Sequence, residues 1–228
     1  MNLKNMIPLS YLAAGSLQAA VLVTPTGLTN TTVTPPNNNT EFFSSTNLVN
    51  NSGLSGPADI GNYTTITHGS AGGTTAWTTD APNGGSGDYH GGANPGADPR
   101  FTLTLDQSYS LTNFVYWGYH FGAANGNEAR EFFLEFSTDG GSTFPASTTV
   151  SQPLDSHAFS SAVTLPLGGA FSANTVRVTL TDNHFGGGAA GGDRSGLGEL
   201  KLIGDAIPEP AGALLAGLGS LMLLRRRR

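Results

Sequence analysis

The sequence predicts an all-β protein, an antiparallel β-sandwich or jelly roll, flanked by an N-terminal signal peptide and a C-terminal transmembrane helix. Glycine accounts for 32 of the 228 residues, and only 11% of the residues are charged. Short stretches alternate apolar and polar side chains, whereas no stretch between the two termini has an apolar period of 3.6 over a useful length. Short strands with glycine-rich turns and no strand–helix–strand rhythm are typical of antiparallel sandwiches.

Four stretches carry the strand pattern. Residues 101–105, 132–136 and 176–180 place an apolar side chain at every second position, and residues 200–202 form a shorter stretch of the same kind. A strand of this pattern buries one face and leaves the other in water. These stretches therefore predict half-buried strands, and the stretch at 200–202 predicts the last one.

Two further stretches predict a central strand and a turn. Residues 113–119 are almost continuously apolar, which favours a strand covered on both sides. Asp139, Gly140 and Gly141 separate Phe136 from Phe144, and glycine accepts a positive φ at little steric cost. We therefore expect a hairpin turn at residues 139–141.

The N-terminal residues 1–19 predict a secretory signal peptide. Lys4 is the only charge among the first 40 residues, and residues 6–14 are largely apolar. Leu17 and Ala19 are suitable residues for positions −3 and −1 of a cleavage site that follows Ala19. The next segment, 20–46, is rich in Thr, Asn and Pro and predicts a stiff spacer or an edge strand.

The C-terminal residues combine a proline pair, an apolar stretch and a block of arginines. Between Ala211 and Leu224 only Ser220 is polar, and residues 225–228 are all arginine. A helix of this apolar stretch is roughly 21 Å long, against ~30 Å for the hydrocarbon core. Arginine stems can extend along acyl chains, and arginine marks the side that is not translocated. The pattern predicts a membrane segment whose C-terminus stays inside.

In this order of parts, residues 206–228 resemble the PEP-CTERM sorting signal of bacterial surface proteins. Ile207 stands where that family usually has Val. The resemblance implies an exosortase as processing enzyme, an inner-membrane precursor, and a final location at the cell surface or in the extracellular matrix. A plain membrane anchor is the alternative. The implied sorting residues are Pro208, Glu209, Pro210, Arg225, Arg226, Arg227 and Arg228.

The charge of residues 20–205 restricts the partners of the exported part. These residues include five Lys or Arg and 15 Asp or Glu, which gives a net charge of −10, and cysteine is absent from the chain. This surface repels phosphate backbones, so we expect no nucleic-acid partner. Ca²⁺ or neutral glycans are easier partners, and stability must come from apolar burial because no disulfide is available.

The order of motifs in residues 47–205 resembles discoidin-like, galactose-binding-type jelly rolls. The best matches are the Ser-Thr-Asp-Gly turn at 137–140 and the Gly-Glu-Leu strand start at 198–200, supported by Asn47-Leu-Val49 and Ala76-Trp77-Thr78. In that family a Ca²⁺ often joins an early loop to a Glu of the last strand, and Glu199 matches this Glu. The family's other ligand is usually in an Asp-Gly pair of the early loop, and this chain has His68-Gly69 in its place. Histidine is a poor substitute there, because Ca²⁺ requires hard oxygen ligands. The alternatives are a Ca²⁺ ligand or a solvated or hydrogen-bonded strand residue; we expect no other cofactor.

Motifs for catalysis are missing from the sequence. It contains no Gly-x-Ser-x-Gly elbow, no His-Glu-x-x-His and no phosphate loop with lysine. Glu131 and Glu135 could serve as paired acids of a glycosidase, but their spacing places both on the solvent face of one strand. We therefore predict no catalytic residues and a protein that is not an enzyme.

Aromatic and polar residues stand where two strands run into glycine-rich loops. The segments are 117–121 and 183–185, and their loops meet at one end of the sandwich if the strands around Arg130 and Thr175 pair antiparallel. Trp117 and Phe121 are predicted to plug the core. Aromatic faces with polar neighbours suit sugar stacking and hydrogen bonding. The residues predicted to form an exposed binding rim are Tyr89, Tyr119, His120, His184 and Arg194.

Three functions remain open at this stage. A glycan-binding module, with exopolysaccharide as its ligand, requires an exposed rim of aromatic and polar side chains. A structural biofilm or matrix protein requires only a soluble, protease-resistant domain. A glycoside-acting enzyme requires convergent acids in a cleft, which the sequence does not show. Exposure of Tyr119, His120 and His184 favours binding, whereas their burial favours the structural function.

Overall fold

The computed structural model describes residues 19–31, 41–82, 87–91 and 97–208. The described residues form an all-β, antiparallel structure with a single 3-10 turn at Ser45–Leu48. The strands are β1 (Val21–Val23), β2 (Gly27–Asn30), β3 (Glu41–Phe43), β4 (Trp77–Thr79), β5 (Arg100–Trp117), β6 (Ala129–Ser137), β7 (Ala146–Ser151), β8 (Ala162–Asn183), β9 (Gly196–Leu197) and β10 (Glu199–Ala206).

Several predictions for the termini lie outside these residues. They are most of the signal peptide, the apolar segment 211–224, and the sorting residues Glu209, Pro210 and Arg225 to Arg228. In the described part of the chain, no helix has the length and apolar character needed to span a membrane.

Two sheets make up the domain. The larger one has the order β1-β10-β5-β8-β6-β7, with β2 paired to the first part of β5. The smaller one has the order β3-β4-β9. Strands β1 and β2 lie in segment 20–46, at the margin of the large sheet, so the sandwich includes strands that precede the boundary predicted at residue 47.

The large sheet folds over on itself because β5 and β8 form one long, bent ladder. Its register runs from Arg100↔Thr179 to Trp117↔Ala162, with shifts around residues 104–109 and 111–113. The two ends of the ladder come together, because Gly118 packs against Glu128, the residue before β6, and β6 pairs with the end of β8. The result is the predicted antiparallel sandwich.

The main core lies between the two layers. Phe114 and Tyr116 of β5 face Phe132 of β6, with ring centroids 4.8 and 4.9 Å apart. The alternating residues of 101–105, 132–136 and 176–180 point into this core as predicted. Burial of each such aromatic side chain contributes about 1.5–3 kcal/mol.

The outer face of the β5–β10 layer is covered as well. Val115, Trp117 and Ile203 form a second apolar cluster beneath residues 49–68, and Trp117 Nε1 donates a hydrogen bond of 2.9 Å to the Ile66 carbonyl. The continuous apolar stretch at 113–119 is therefore buried on both sides, as predicted. The 49–68 segment also covers part of β10, where Asn51 contacts Glu199 and Lys201.

The predicted hairpin at 139–141 connects β6 to β7. Gly140 and Gly141 have φ of 73° and 88°, the left-handed region that glycine tolerates. The Asp139 carboxylate accepts hydrogen bonds from Ser137 Oγ at 2.6 Å and from the Thr143 amide at 3.0 Å. These hydrogen bonds hold the pKa of Asp139 well below its usual range.

Candidate functional site

Three loops meet at one end of the sandwich, which we call the loop end. They are residues 118–128 before β6, 152–161 between β7 and β8, and 184–195 after β8. The pairing Ala129↔Asn183 brings the first and third loops together, which confirms the juxtaposition predicted from the sequence. The second loop was not part of that prediction, and it is fixed by the pairing of β7 with β6.

Four of the five predicted rim residues are buried, so their predicted exposure is wrong. Tyr89, Tyr119, His120 and His184 are only 0–3% exposed. The loops fold back over the ends of the strands, so these side chains fill the space beneath them. Their burial is the outcome that favours a structural function for these particular residues.

Backbone carbonyls hold three of these buried polar side chains. Tyr89 donates its hydroxyl to the Ala97 carbonyl at 2.9 Å, and His184 Nδ1 lies 2.6 Å from the Leu154 carbonyl. His120 Nε2 lies 3.1 Å from the His68 carbonyl. A buried polar group needs such a partner because its loss costs about 1–3 kcal/mol.

The exposed aromatic residues at the loop end are phenylalanines. Phe121, predicted to plug the core, is 54% exposed and stands edge-on to the Tyr119 ring, whereas Trp117 is buried as predicted. Phe159 and Phe185 are exposed as well, on the second and third loops. Neighbouring residues thus exchange the predicted roles, because Tyr119 points inward and Phe121 points outward.

Arg194 alone among the predicted rim residues reaches the surface. Its side chain is 26% exposed, and its guanidinium lies 4.6 Å from the centroid of the Phe42 ring. The guanidinium donates to the Thr79 carbonyl at 3.1 Å and lies 3.7 Å from the Asp80 carboxylate. The Asp193 carboxylate lies 3.9 Å from it. We call Phe42, Asp80, Asp193 and Arg194 the Phe42–Arg194 patch.

Glu199, the predicted Ca²⁺ ligand, is fully buried next to a lysine. Its Oε1 lies 3.3 Å from Lys201 Nζ, and its Oε2 accepts a hydrogen bond of 3.0 Å from the Asn51 amide. Lys201 is buried too, and its ammonium donates to Asn51 Oδ1 at 2.7 Å and to Thr24 Oγ1 at 3.0 Å. The glutamate is therefore a hydrogen-bonded strand residue, the second of the two alternatives above.

These residues do not fit a calcium ion. The Lys201 ammonium already contacts the oxygen atoms of Glu199, Asn51 and Thr24 that a cation would need. A second positive charge there would be repelled at close range. His68 at the position of the early ligand has both ring nitrogens against the carbonyls of Gly69 and Thr75, at 2.7 and 2.8 Å.

Burial shifts both members of this pair toward their neutral forms. It raises the pKa of the Glu199 carboxyl to about 7, against an opposing effect of the Lys201 charge. It also lowers the pKa of the Lys201 ammonium. The cause is desolvation, which disfavours each charged form.

A second buried carboxylate lies among two histidines at the loop end. Glu128, the residue before β6, is fully buried and adjoins His157 of the second loop and His184 of the third. The imidazole rings of the two histidines stack with centroids 4.2 Å apart and planes inclined by 29°. We call these three residues the His–Glu cluster.

Sequence reasoning did not find the His–Glu cluster. The sequence patterns pointed to His184 only as a rim residue, and they pointed to neither Glu128 nor His157. Each of the three residues lies in a loop beside the end of a strand, and the pairing of β7, β6 and β8 brings these loops together. The cluster could therefore be predicted only by combining the sequence with that strand pairing.

Comparison with known proteins gives fold likenesses only. No family model matches the chain, and no curated protein matches it. A family 32 carbohydrate-binding module from C. perfringens, solved with galactose, is 12% identical over 81% of this chain and 99% of that one, with a TM-score of 0.42. The C-terminal domain of a Bacteroides fragilis chitobiase is 14% identical over 82% and 99%, with a TM-score of 0.47.

A fragment of a putative chitobiase from Bacteroides thetaiotaomicron is 14% identical over 82% of this chain and 95% of that one, with a TM-score of 0.48. At this similarity the function has to be judged from the residues of this chain itself.

Proposed function

We propose that this protein is an exported surface or matrix protein whose β-sandwich binds glycan, and that it acts by binding rather than by catalysis. The observation that carries the binding proposal is the Phe42–Arg194 patch. It places an exposed aromatic ring beside charged donors and acceptors on the surface of the domain.

The patch has the chemistry that a sugar ring needs. Phe42 is 56% exposed, so it offers an apolar surface to the C–H face of a sugar. The Arg194 guanidinium provides fixed donors, and the Asp80 and Asp193 carboxylates provide acceptors for hydroxyl groups. An aromatic face with a few oriented polar groups is the usual composition of a small-ligand site.

The polar part of the patch is held in place before any ligand arrives. Arg194 donates from its guanidinium to the Thr79 carbonyl and from its backbone amide to Asn127 Oδ1 at 3.2 Å. A side chain fixed in this way loses less conformational entropy on binding. A shallow patch still binds one sugar weakly, so useful affinity requires many copies on a polysaccharide.

Retention on a polysaccharide tests the glycan proposal. The full-length chain, immobilised at high density, should retain a neutral polysaccharide, and Phe42→Ala or Arg194→Gln should abolish this retention. Ile60→Ala is the matched control, because Ile60 is another exposed apolar residue outside the patch. Phe42→Ala and Ile60→Ala should each change the free energy of unfolding by no more than about 0.5 kcal/mol, as surface substitutions usually do. Arg194→Gln also loses the hydrogen bond to the Thr79 carbonyl, so its circular dichroism spectrum and melt are measured before its retention. Retention that survives both patch variants would contradict the proposal.

A structural matrix protein is the second candidate function. The observation that favours it is the burial of Tyr119, His120 and His184, which makes the loop end a packed plug. This function predicts no retention on any polysaccharide of a broad panel, with or without the patch variants. The same experiment therefore separates the two candidates.

The proposals for export and sorting are supported by the leader-like residues 1–19 and the sorting-like residues 206–228. Changing Pro208, Glu209 and Pro210 to alanine should block processing and leave a longer, membrane-bound form. Deleting Arg225 to Arg228 should remove the signal that stops translocation. Immunoblots of fractions from a host that carries an exosortase measure both effects, and unchanged size and location of both variants would refute sorting.

A further inference from the structure

We propose that the His–Glu cluster binds a divalent transition-metal ion, with Zn²⁺ as the ion that its donors favour. One potential ligand atom from each of Glu128, His157 and His184 lies within 4.8 Å of the others. His157 Nδ1 is 3.6 Å from Glu128 Oε2. Ligand atoms of a tetrahedral zinc ion are roughly 3.4 Å apart, so the three side chains must move closer together to bind one.

All three side chains have a buried atom without a well-formed hydrogen bond to the described residues. Glu128 Oε1 accepts a hydrogen bond of 2.7 Å from the Ala158 amide, but Oε2 receives none from the described residues. His184 Nδ1 faces the Leu154 carbonyl at 2.6 Å, so Nδ1 carries the proton and donates it. This hydrogen bond leaves a lone pair on Nε2, which also has no partner within the described residues. A backbone carbonyl that fixes the tautomer in this way is the usual support of a histidine ligand.

His157 is the member of the cluster that has to move. Its side chain is 9% exposed, and neither ring nitrogen has a well-formed hydrogen bond with the described part of the chain, although Glu128 and the backbone of Asn125 and Gly187 lie close to it. Binding a shared ion requires this ring to turn out of its stacked arrangement with His184 and to direct a nitrogen toward the ion. The same side chain lies nearest to solvent, which gives an ion a route into the cluster.

A proton alone does not satisfy the cluster. A proton shared between His157 and Glu128 would pair only those two side chains, whose Nδ1 and Oε2 atoms lie 3.6 Å apart. The Nε2 atom of His184 would still be left without a donor among the described residues. A single metal ion satisfies all three side chains at once.

The donor types select the ion. Two imidazoles and one carboxylate suit zinc and its neighbours, whereas Ca²⁺ and Mg²⁺ prefer oxygen ligands alone. Three protein ligands leave a fourth position of a tetrahedral ion open. The ligands come from three loops that are far apart in sequence, so a bound ion would connect all three across the loop end.

Zinc titration of the full-length chain tests this site. After treatment with chelator, the protein should bind Zn²⁺ at a stoichiometry of one in competition with a chromogenic chelator, and excess Ca²⁺ should not compete. His157→Ala should weaken binding by about a hundredfold or more, since even loss of a supporting residue costs 10- to 100-fold. Cobalt substitution should give the visible absorption of a four-coordinate site.

The matched control is Asp155→Asn, which changes an exposed acidic residue of the same loop and should bind Zn²⁺ like the parent. His184→Ala removes a buried ring, so its circular dichroism spectrum and melt are measured first; His157→Ala tests the site even if that variant fails to fold. The proposal is wrong if the parent binds no Zn²⁺. It is equally wrong if His157→Ala binds Zn²⁺ like the parent, or if Asp155→Asn loses as much affinity as His157→Ala.

Discussion

Glu199 and Glu128 are both fully buried, yet their surroundings differ. Glu199 has the Lys201 ammonium at 3.3 Å and a backbone amide on its other oxygen. Glu128 has one amide hydrogen bond and two imidazoles, with one oxygen unsatisfied among the described residues. The first carboxylate has a cation that the chain itself supplies. The second adjoins two imidazoles, which together with it form the proposed metal site.

The difference shows what a buried carboxylate demands. An unpaired charge in the interior costs several kcal/mol, so the fold must provide a counter-charge, a proton or a metal ion. The Lys201 ammonium is part of the chain, and it occupies the place that a metal ion would need. In the His–Glu cluster, the described part of the chain supplies no such ammonium, so a proton or a metal ion from solution has to balance the charge of Glu128.

Breaking the built-in pair should have the largest effect. Lys201→Met leaves Glu199 buried without its counter-charge, so we expect the free energy of unfolding to fall by about 3–5 kcal/mol at a pH above 7, where the carboxylate would otherwise be ionised. Denaturation in urea at alkaline pH measures it. The double variant Lys201→Met with Glu199→Gln should recover most of this loss, because the buried charge has been removed. A loss below 1 kcal/mol for the single variant would mean that the pair is solvated.

The pH dependence of stability should show the next largest effect. The folded chain holds a proton on Glu199 up to about pH 7, whereas the unfolded chain releases it near 4.5. The folded state therefore binds more protons between these values, and its stability falls as the pH rises through this window, by at most about 3 kcal/mol.

Subtracting the profile of Glu199→Gln isolates this contribution from those of the histidines. The lowered pKa of Lys201 acts with the opposite sign and in the alkaline range, where stability rises with pH. A difference profile that is flat between pH 4.5 and 7 would show that Glu199 ionises in the folded state as it does in the unfolded chain.

The smallest effect is expected for Ca²⁺, which should leave the melting temperature of the domain unchanged. Binding at a hundredfold excess over Kd would stabilise the domain by about 2.7 kcal/mol, but the Lys201 ammonium already contacts the oxygen atoms of the Glu199 site. Melts with Ca²⁺ or with chelator should therefore coincide. A rise with Ca²⁺ that disappears in Glu199→Gln would refute this reading of the pair.

Local patterns sufficed for much of the fold. The alternation in β5, β6 and β8 predicted which side chains point into the core, and the glycines after Asp139 predicted the hairpin turn. Both patterns depend only on residues that are close in sequence. Lys201 shows the limit. A lysine on the outer face of a strand is ordinarily exposed, but Lys201 is buried where Thr24 and the 49–68 segment contact its ammonium.

The loop end was harder to predict for the same reason. In a glycine-rich loop no period decides which side chain turns inward, so Tyr119 and Phe121 were given each other's exposure. Gly187 illustrates the tertiary constraint, because a Cβ there would lie 2.2 Å from the Leu154 carbonyl oxygen of another loop. Such contacts between loops place His157 beside His184, and they cannot be read from either loop alone.

The edge pairing of β1 with β10 determines how the domain is oriented relative to its two termini. Val21 pairs with Gly204, and Ala206 pairs with Tyr109, so both ends of the sandwich chain emerge side by side, away from Trp117 and the loop end. Strand β10 alone spans roughly 26 Å between the two sides. A segment that follows Ala206 therefore leaves the domain at the end of β10 that lies opposite the loop end and its His–Glu cluster.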